Sequence, residues 1–283
     1  MPTVRRRIIP AVMGEKGRRK APTGLPGMSG AWMGVALFLT LTAGLLTLAV
    51  LTGRHGNTGD APQVHTDRPG EKFIVAVDSG HGGADTGAVG LVKETDVTQR
   101  TAAALLAMLD EDPAFTPVQV HTDAQEMTPS ERTDAAAAAD AQLFLSVHAN
   151  MDTHPDSNGF ECFAVPPGQD LHEESLRFAA LLAEEMAAAG ARLRGESGVR
   201  YAYYTGHGKL LREASDPTVY TWPTFGVLQT APCPAVLAEQ CFISNAADLE
   251  AWGDADGCDA VATCYYRAIC AYFGTTPLIS DHG

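Results

Sequence analysis

The chain has 283 residues, 45% of them hydrophobic, with a formal net charge of −14, which allows one medium-sized domain plus accessory segments. The charge is uneven: Arg5, Arg6, Arg7, Lys16, Arg18, Arg19 and Lys20 face only Glu15 in segment 1–30, so the rest is more acidic than the total. An acidic body repels phosphates and argues against a nucleic-acid partner; it reads as a soluble acidic surface.

The basic segment 1–30 leads into a stretch, 31–51, that is nearly continuously apolar, and no charged residue falls between Lys20 and Arg54. A transmembrane helix needs about 20 such residues. The basic flank comes first, which keeps the amino terminus in the cytoplasm and puts the remainder outside. A cleaved signal peptide has an apolar core of about 7–15 residues and a small-residue cleavage site. Here the core is longer and no clear Ala-x-Ala follows, so an anchor over 31–52 is the expectation. The protein is then single-pass with its domain outside the cell membrane, or secreted if the segment is cleaved. Segment 53–72, rich in Gly, Pro, Asn, Asp and His, reads as a tether.

The domain is expected over 73–274, with a tail at 275–283. Phe73-Ile74-Val75-Ala76-Val77 reads as a buried strand. A helix follows Glu94, with Asp96 and Gln99 suited to a cap and its reciprocal partner and Val97, Leu105 and Leu109 on one face. A strand is expected over 117–121. Thr128-Pro129-Ser130-Glu131 is a helix start: a capping threonine, Pro at the first helical position, and Glu at the third. The alanine-rich helix leads to a strand over 143–148. A strand over 160–165, a helix over 171–189 stopped by Gly190, and a strand over 234–239 follow. Asn245 and Asp248 start a short helix, and a closing helix runs over 257–273. Strands alternating with helices predict an α/β domain, a twisted mixed or mostly parallel sheet covered by helices on both faces. Segment 190–224 is read as a long loop, and its rings Tyr201, Tyr203, Tyr204, Tyr220 and Trp222 suit either a lid or packing of the loop onto the domain.

Four residues stand where chemistry is built. His81 follows the first strand on the turn Asp78-Ser79-Gly80-His81-Gly82-Gly83, at the sheet edge where α/β folds place their sites. His148 ends a second strand-like run and Glu239 a third, while Glu94 opens a helix. Two histidines and a carboxylate make an open zinc site, and a spare glutamate beside it makes a hydrolase. Alone, His148 reads as structural and Glu94 as a helix-start carboxylate. Glu239 differs, because an unpaired carboxylate after a wholly apolar strand is costly. Gly80-x-Gly82 is no nucleotide loop, since the third glycine position is Asp85. His207, in Gly206-His207-Gly208, lacks a preceding apolar strand and reads as a loop histidine. Cys162, Cys233, Cys241, Cys258, Cys264 and Cys270 read as buried apolar thiols, with one or two disulfides allowed.

The run from Asp78 to Ala88, then Glu94, then Ser146-Val147-His148-Ala149-Asn150, then Glu239-x-x-Phe242-Ile243-Ser244-Asn245 resembles the zinc-dependent N-acetylmuramoyl-L-alanine amidases, over roughly 73–273. The resemblance implies one zinc ion on His81, Glu94 and His148, and Glu239 as the catalytic acid/base. It implies peptidoglycan as substrate, cut between N-acetylmuramic acid and L-alanine; a protein activator stays an open partner. The rival readings are a zinc peptidase or carboxypeptidase acting on wall peptides, and an inactive, membrane-tethered wall-binding protein. Three departures stand out. Ser79 replaces a usual Pro, and a Thr-Arg pair is missing around His121-Thr122-Asp123. Gln240-Cys241 replaces a small residue and Gly; on a continuing strand Cys241 would share Glu239's face. Segment 190–224 also exceeds the family's usual connection by about twenty residues, a length typical of functional or mobile loops.

Overall fold

A computed structural model describes residues 70–279 of the chain. The predicted anchor over 31–52 and most of the tether lie outside the described residues. Among those described, no helix is long and apolar enough to cross a membrane.

The elements in order are β1 (Phe73–Ser79), α1 (Glu94–Glu111), β2 (Phe115–Gln119), α2 (Pro129–Ala138), β3 (Leu143–Asn150), β4 (Glu161–Ala164), α3 (His172–Ala188), β5 (Val199–Thr205), β6 (Gly208–Glu213), α4 (Gly226–Gln229), β7 (Ala235–Phe242), α5 (Ala246–Trp252) and α6 (Ala255–Phe273). One seven-stranded sheet has the order β2-β1-β3-β7-β4-β5-β6. The β2-β1-β3-β7 half is parallel, β4 reverses against β7, and β6 closes the edge antiparallel to β5. The sheet is therefore mixed, as expected.

Alternation along the strands divides the side chains between two faces. One face carries Val75, Val77, Leu145, Val147, Val236, Ala238, Tyr201 and Tyr203 against residues of α1, α3 and α6. The other carries Ala76, Phe144, Phe163, Ala202 and Leu237 against Ala136 of α2 and Val227 and Leu228 of α4. This second face is thinly covered, and the site lies on it.

Local sequence explains the starts of the helices. Thr128 Oγ1 accepts from the Glu131 N–H at 3.3 Å and Glu131 Oε2 accepts from the Thr128 N–H at 2.7 Å, so the predicted capping box opens α2. Helix α1 starts at Glu94 itself, one turn earlier than its expected cap, and Asp96 serves as the reciprocal acceptor for the Lys93 N–H at 3.2 Å. Strand β2 lies two residues earlier than expected, in register with Phe73 to Val77. Helix α6 also starts earlier, because the Asp254 carboxylate caps the Gly257 N–H at 2.8 Å.

Segment 190–224 is not one loop. It contains the β5–β6 hairpin, whose two-residue turn carries His207, with Thr205 Oγ1 accepting the His207 N–H at 3.1 Å. Tyr201 and Tyr203 are buried, Tyr220 meets Tyr203 edge-on, and Trp222 stacks on Tyr220 at 5.1 Å. Those rings pack on the face away from the site; Tyr204 alone of the five points to the site's face.

All six cysteines are buried and free. Cys241 leaves the face of Glu239, against the expectation for a continuing strand. His148 pairs with Glu239 and Asn150 with Phe242, so β7 takes three steps where β3 takes two. This bulge turns Gln240 and Cys241 to one side. There Gln240 Nε2 donates to the Trp252 carbonyl at 2.6 Å and Cys241 packs with Val97, Ala149 and Cys258. Burial pushes the Cys241 thiol pKa up, so it behaves as a small neutral hydrophobe.

Candidate metal centre and its surroundings

His81 stands one residue beyond Gly80, which follows β1, and has φ 69°, a left-handed conformation that costs a residue with a Cβ about 1–2 kcal/mol. Two contacts hold it there. Arg132 Nη2 donates to the His81 carbonyl at 2.8 Å, and Asp85 Oδ2 accepts from His81 Nδ1 at 2.7 Å. A carboxylate only accepts, so Nδ1 carries the proton and Nε2 faces the cluster.

Glu94 is fixed through both oxygens. Oε1 accepts the Ala149 N–H at 3.2 Å and lies 2.9 Å from His148 Nδ1; Oε2 accepts the Ala88 N–H at 3.0 Å and lies 3.1 Å from His81 Nε2. Ligand atoms of His81, Glu94 and His148 all lie within 4.8 Å of one another. The structure thus brings together three residues separated by up to 67 positions in sequence, from the ends of β1 and β3 and the start of α1.

Glycine makes this approach possible. A Cβ on Gly80 would stand 2.5 Å from His148 Cε1. Gly87, at φ 64°, would put a Cβ 2.6 Å from both Glu94 Oε2 and His81 Cδ2.

The donor set suits zinc, which takes imidazole nitrogen and carboxylate oxygen at about 2.0–2.1 Å. His81 Nε2 lies 3.1 Å from Glu94 Oε2 and His148 Nδ1 lies 2.9 Å from Glu94 Oε1, so each imidazole meets its own oxygen of the one carboxylate. Electrostatics agree with a tightly coupled cluster. Burial opposes charge on His81, but hydrogen bonds to Glu94 and Asp85 raise its pKa to about 9. His148 is raised against its burial by Glu94 and by the Glu239 charge. Glu94, despite burial, is held well below the usual carboxylate range by the two histidines.

Glu239 lies in register beside His148 and opposite Glu161. It makes none of the close contacts of the cluster. Its Oε2 is shielded from solvent and has no hydrogen-bond partner. Burial raises its pKa to about 7, with His148 opposing and the Glu94 and Glu161 charges adding. Glu161 itself is held by Asn150 Nδ2 at 2.6 Å and Arg200 Nη1 at 2.8 Å, which leaves Glu239 as the carboxylate with a free oxygen. A cavity of about 170 Å³ opens beside the two histidines of the cluster, lined by His81, His148, Arg132, Met127, Phe225 and Leu237 among others.

Sequence reasoning missed the supporting residues. Arg132 Nη1 donates to Asp78 Oδ1 at 2.7 Å and to the Ser79 carbonyl at 3.0 Å, and Ser146 Oγ donates to Asp78 Oδ2 at 2.6 Å. These bonds clamp the turn that carries His81. Asp85, four residues after His81, was legible as a possible partner, whereas Arg132 is 54 positions from Asp78 and no local pattern joins them. His121 occupies the place of the missing Thr-Arg pair and lies 2.8 Å from the Ser79 carbonyl through Nε2.

Residues 75–271 match the family model described as N-acetylmuramoyl-L-alanine amidase. The probable N-acetylmuramoyl-L-alanine amidase AmiB of Haemophilus influenzae is 25% identical over 242 residues, covering 74% of this chain and 55% of that protein. The N-acetylmuramoyl-L-alanine amidase LytC of Bacillus subtilis is 29% identical over 205 residues, covering 70% of this chain and 35% of LytC. The chain therefore spans about half of the first relative and about a third of the second. The solved catalytic domain of CwlV, an N-acetylmuramoyl-L-alanine amidase from Bacillus (Paenibacillus) polymyxa var. colistinus, is 26% identical with a TM-score of 0.58. That likeness covers 72% of this chain and 99% of the CwlV domain.

Proposed function

This chain belongs to the N-acetylmuramoyl-L-alanine amidase family, and on that premise we propose that it hydrolyses the amide between N-acetylmuramic acid and L-alanine in peptidoglycan. In this reading His81, Glu94 and His148 hold one zinc ion and Glu239 is the general acid/base. The observation that supports it most is the convergence of three ligand atoms within 4.8 Å beside the unpartnered Glu239 Oε2.

Zinc, when bound, supplies the Lewis acidity that polarises a scissile carbonyl and makes water a stronger acid. The chain's own residues do the rest. Asp85 accepts the His81 Nδ1 proton and so fixes the tautomer in which Nε2 keeps the lone pair that would bind the metal. The Ala88 and Ala149 N–H groups hold the Glu94 carboxylate in place. Glu239 Oε2 takes a proton from the attacking water and delivers it to the departing alanine nitrogen, which leaves poorly as an anion. A pKa near neutrality suits a group that must first accept and then donate. The products are a lactyl carboxylate on the glycan and a stem peptide with a new amino-terminal alanine. The segment over 31–52 would hold this domain on the outer side of the membrane, where the substrate lies.

Mass spectrometry of wall fragments treated with the zinc-loaded protein tests the bond assignment. A new amino-terminal alanine is the expected product. Cuts confined to the interior of the stem peptide would establish the peptidase reading instead, and no cut at all would contradict both enzymatic readings.

A further inference from the structure

The sheet face that carries His148 and Glu239 continues across β4 to the β5–β6 hairpin. Phe163 is in register with Arg200 and Tyr204 with Lys209, so by alternation Phe163, Arg200, Ala202, Tyr204 and Lys209 share that face. The Lys209 ammonium lies 5.2 Å from the Phe225 ring centroid and 6.0 Å from that of Phe163. Those two rings are 5.0 Å apart, and Tyr204 stands edge-on to Phe225 at 5.7 Å. Phe225 also lines the cavity shared with His81 and His148. Lys209 is near enough to Glu239 for their charges to interact, and Tyr204 likewise.

Lys209 differs from the other cations around it. Arg132 pairs with Asp78, Arg194 and Arg200 with Glu161, Arg200 also with Glu213, and Arg212 with Asp216. No described carboxylate pairs with Lys209; only the aromatic faces steer it, a weak hold that leaves its donors available. Glu161 is already held by its two arginines, so among the described residues of this face Lys209 is the cation with no carboxylate partner, and it is free to meet an anion on the substrate.

We propose that Lys209 is a specificity-determining residue that receives a free carboxylate on the second residue of the stem peptide. The inference rests on the amidase reading, since that carboxylate lies just beyond the released alanine. Two extended residues span about 7 Å, a distance over which a group near Glu239 remains within reach of a lysine side chain. A charge-assisted hydrogen bond of this kind selects carboxylate over carboxamide.

Steady-state kinetics of the zinc-loaded full chain on two muropeptides provides the test. The two differ only in a carboxylate or a carboxamide on the second stem residue. Wild type is expected to favour the carboxylate by about tenfold in kcat/KM, carried mainly by KM. Lys209→Ala should remove the preference, Lys209→Arg should keep it, and Lys209→Glu should reverse it; Lys209→Gln replaces the Ala variant if that one does not fold. A wild type without preference, or an Ala or Gln variant with undiminished preference, overturns the assignment while the amidase reading stands. Failure of wild type to release amino-terminal alanine from either compound contradicts the amidase reading and this inference together.

Discussion

Gly80 shows how little room separates the candidate ligands, since one added carbon would stand 2.5 Å from the His148 ring. Gly80→Ala should therefore displace that imidazole and weaken zinc binding about 10- to 100-fold, read by competition with a chromogenic chelator. The two glutamates should separate cleanly. Glu94→Ala removes a ligand and should lose the metal. Glu239→Gln keeps the shape and should retain one zinc per chain while turnover falls at least about 100-fold. Zinc retained by the first variant and lost by the second would reverse the roles. His81, His148 and Glu239 could be singled out in sequence because each follows an apolar run, where a polar side chain is costly unless it does something. Glu94 is different: only the surrounding motifs distinguish it from an ordinary helix-start carboxylate. Lys209 gave no such signal, because its meaning depends on the rings of Phe163 in β4 and Phe225 just before α4, which the fold brings near it.

The element that holds β1 to α2 is a buried ion pair. Burial alone would raise the Asp78 pKa, but hydrogen bonds from His121 and Ser146 and the Arg132 charge lower it below the usual 3.8. A folded-state pKa below the unfolded one gives stability that is present above the unfolded value and lost as pH falls through the folded value. Denaturant unfolding should thus show a loss of stability below about pH 4 that is smaller in Asp78→Asn. That variant should also be about 3–5 kcal/mol less stable at neutral pH, since it leaves Arg132 buried without its partner. An unchanged acid limb would remove Asp78 from the account. The capping box of α2, which places Arg132 one residue after Glu131, was readable from its local pattern. The hairpin was not read, although Val199, Tyr201 and Tyr203 alternate with Arg200, Ala202 and Tyr204 as a half-buried strand does. Glycines at 195, 198, 206 and 208 broke the run into pieces that looked like loop. Tyr203→Ala should cost about 3–5 kcal/mol in the same unfolding assay without altering zinc stoichiometry, because that ring packs on the face away from the cluster.

The α/β character of the whole domain was legible because strand and helix periods differ and alternate along the chain. The direction of its far half was not. Strand β4 has only four residues, and nothing in them states that it runs against β7. That reversal matters for the site, since it brings Glu161 opposite Glu239 and leads the sheet on to Lys209. If the segment over 31–52 anchors the chain with the domain outside, protease added to intact protoplasts should cut within 53–72 and free the domain; a protected domain would contradict this orientation. The chemistry itself is tested most directly by one comparison. Wild type and Glu239→Gln, each carrying one zinc, are given the same purified muropeptide and newly formed amino-terminal alanine is quantified. Wild type should generate it in step with loss of substrate, stop when the metal is chelated, and resume when zinc is restored, while the zinc-loaded variant generates almost none. Equal release by the two proteins, or release that persists in wild type stripped of metal, would contradict a zinc hydrolase driven by Glu239.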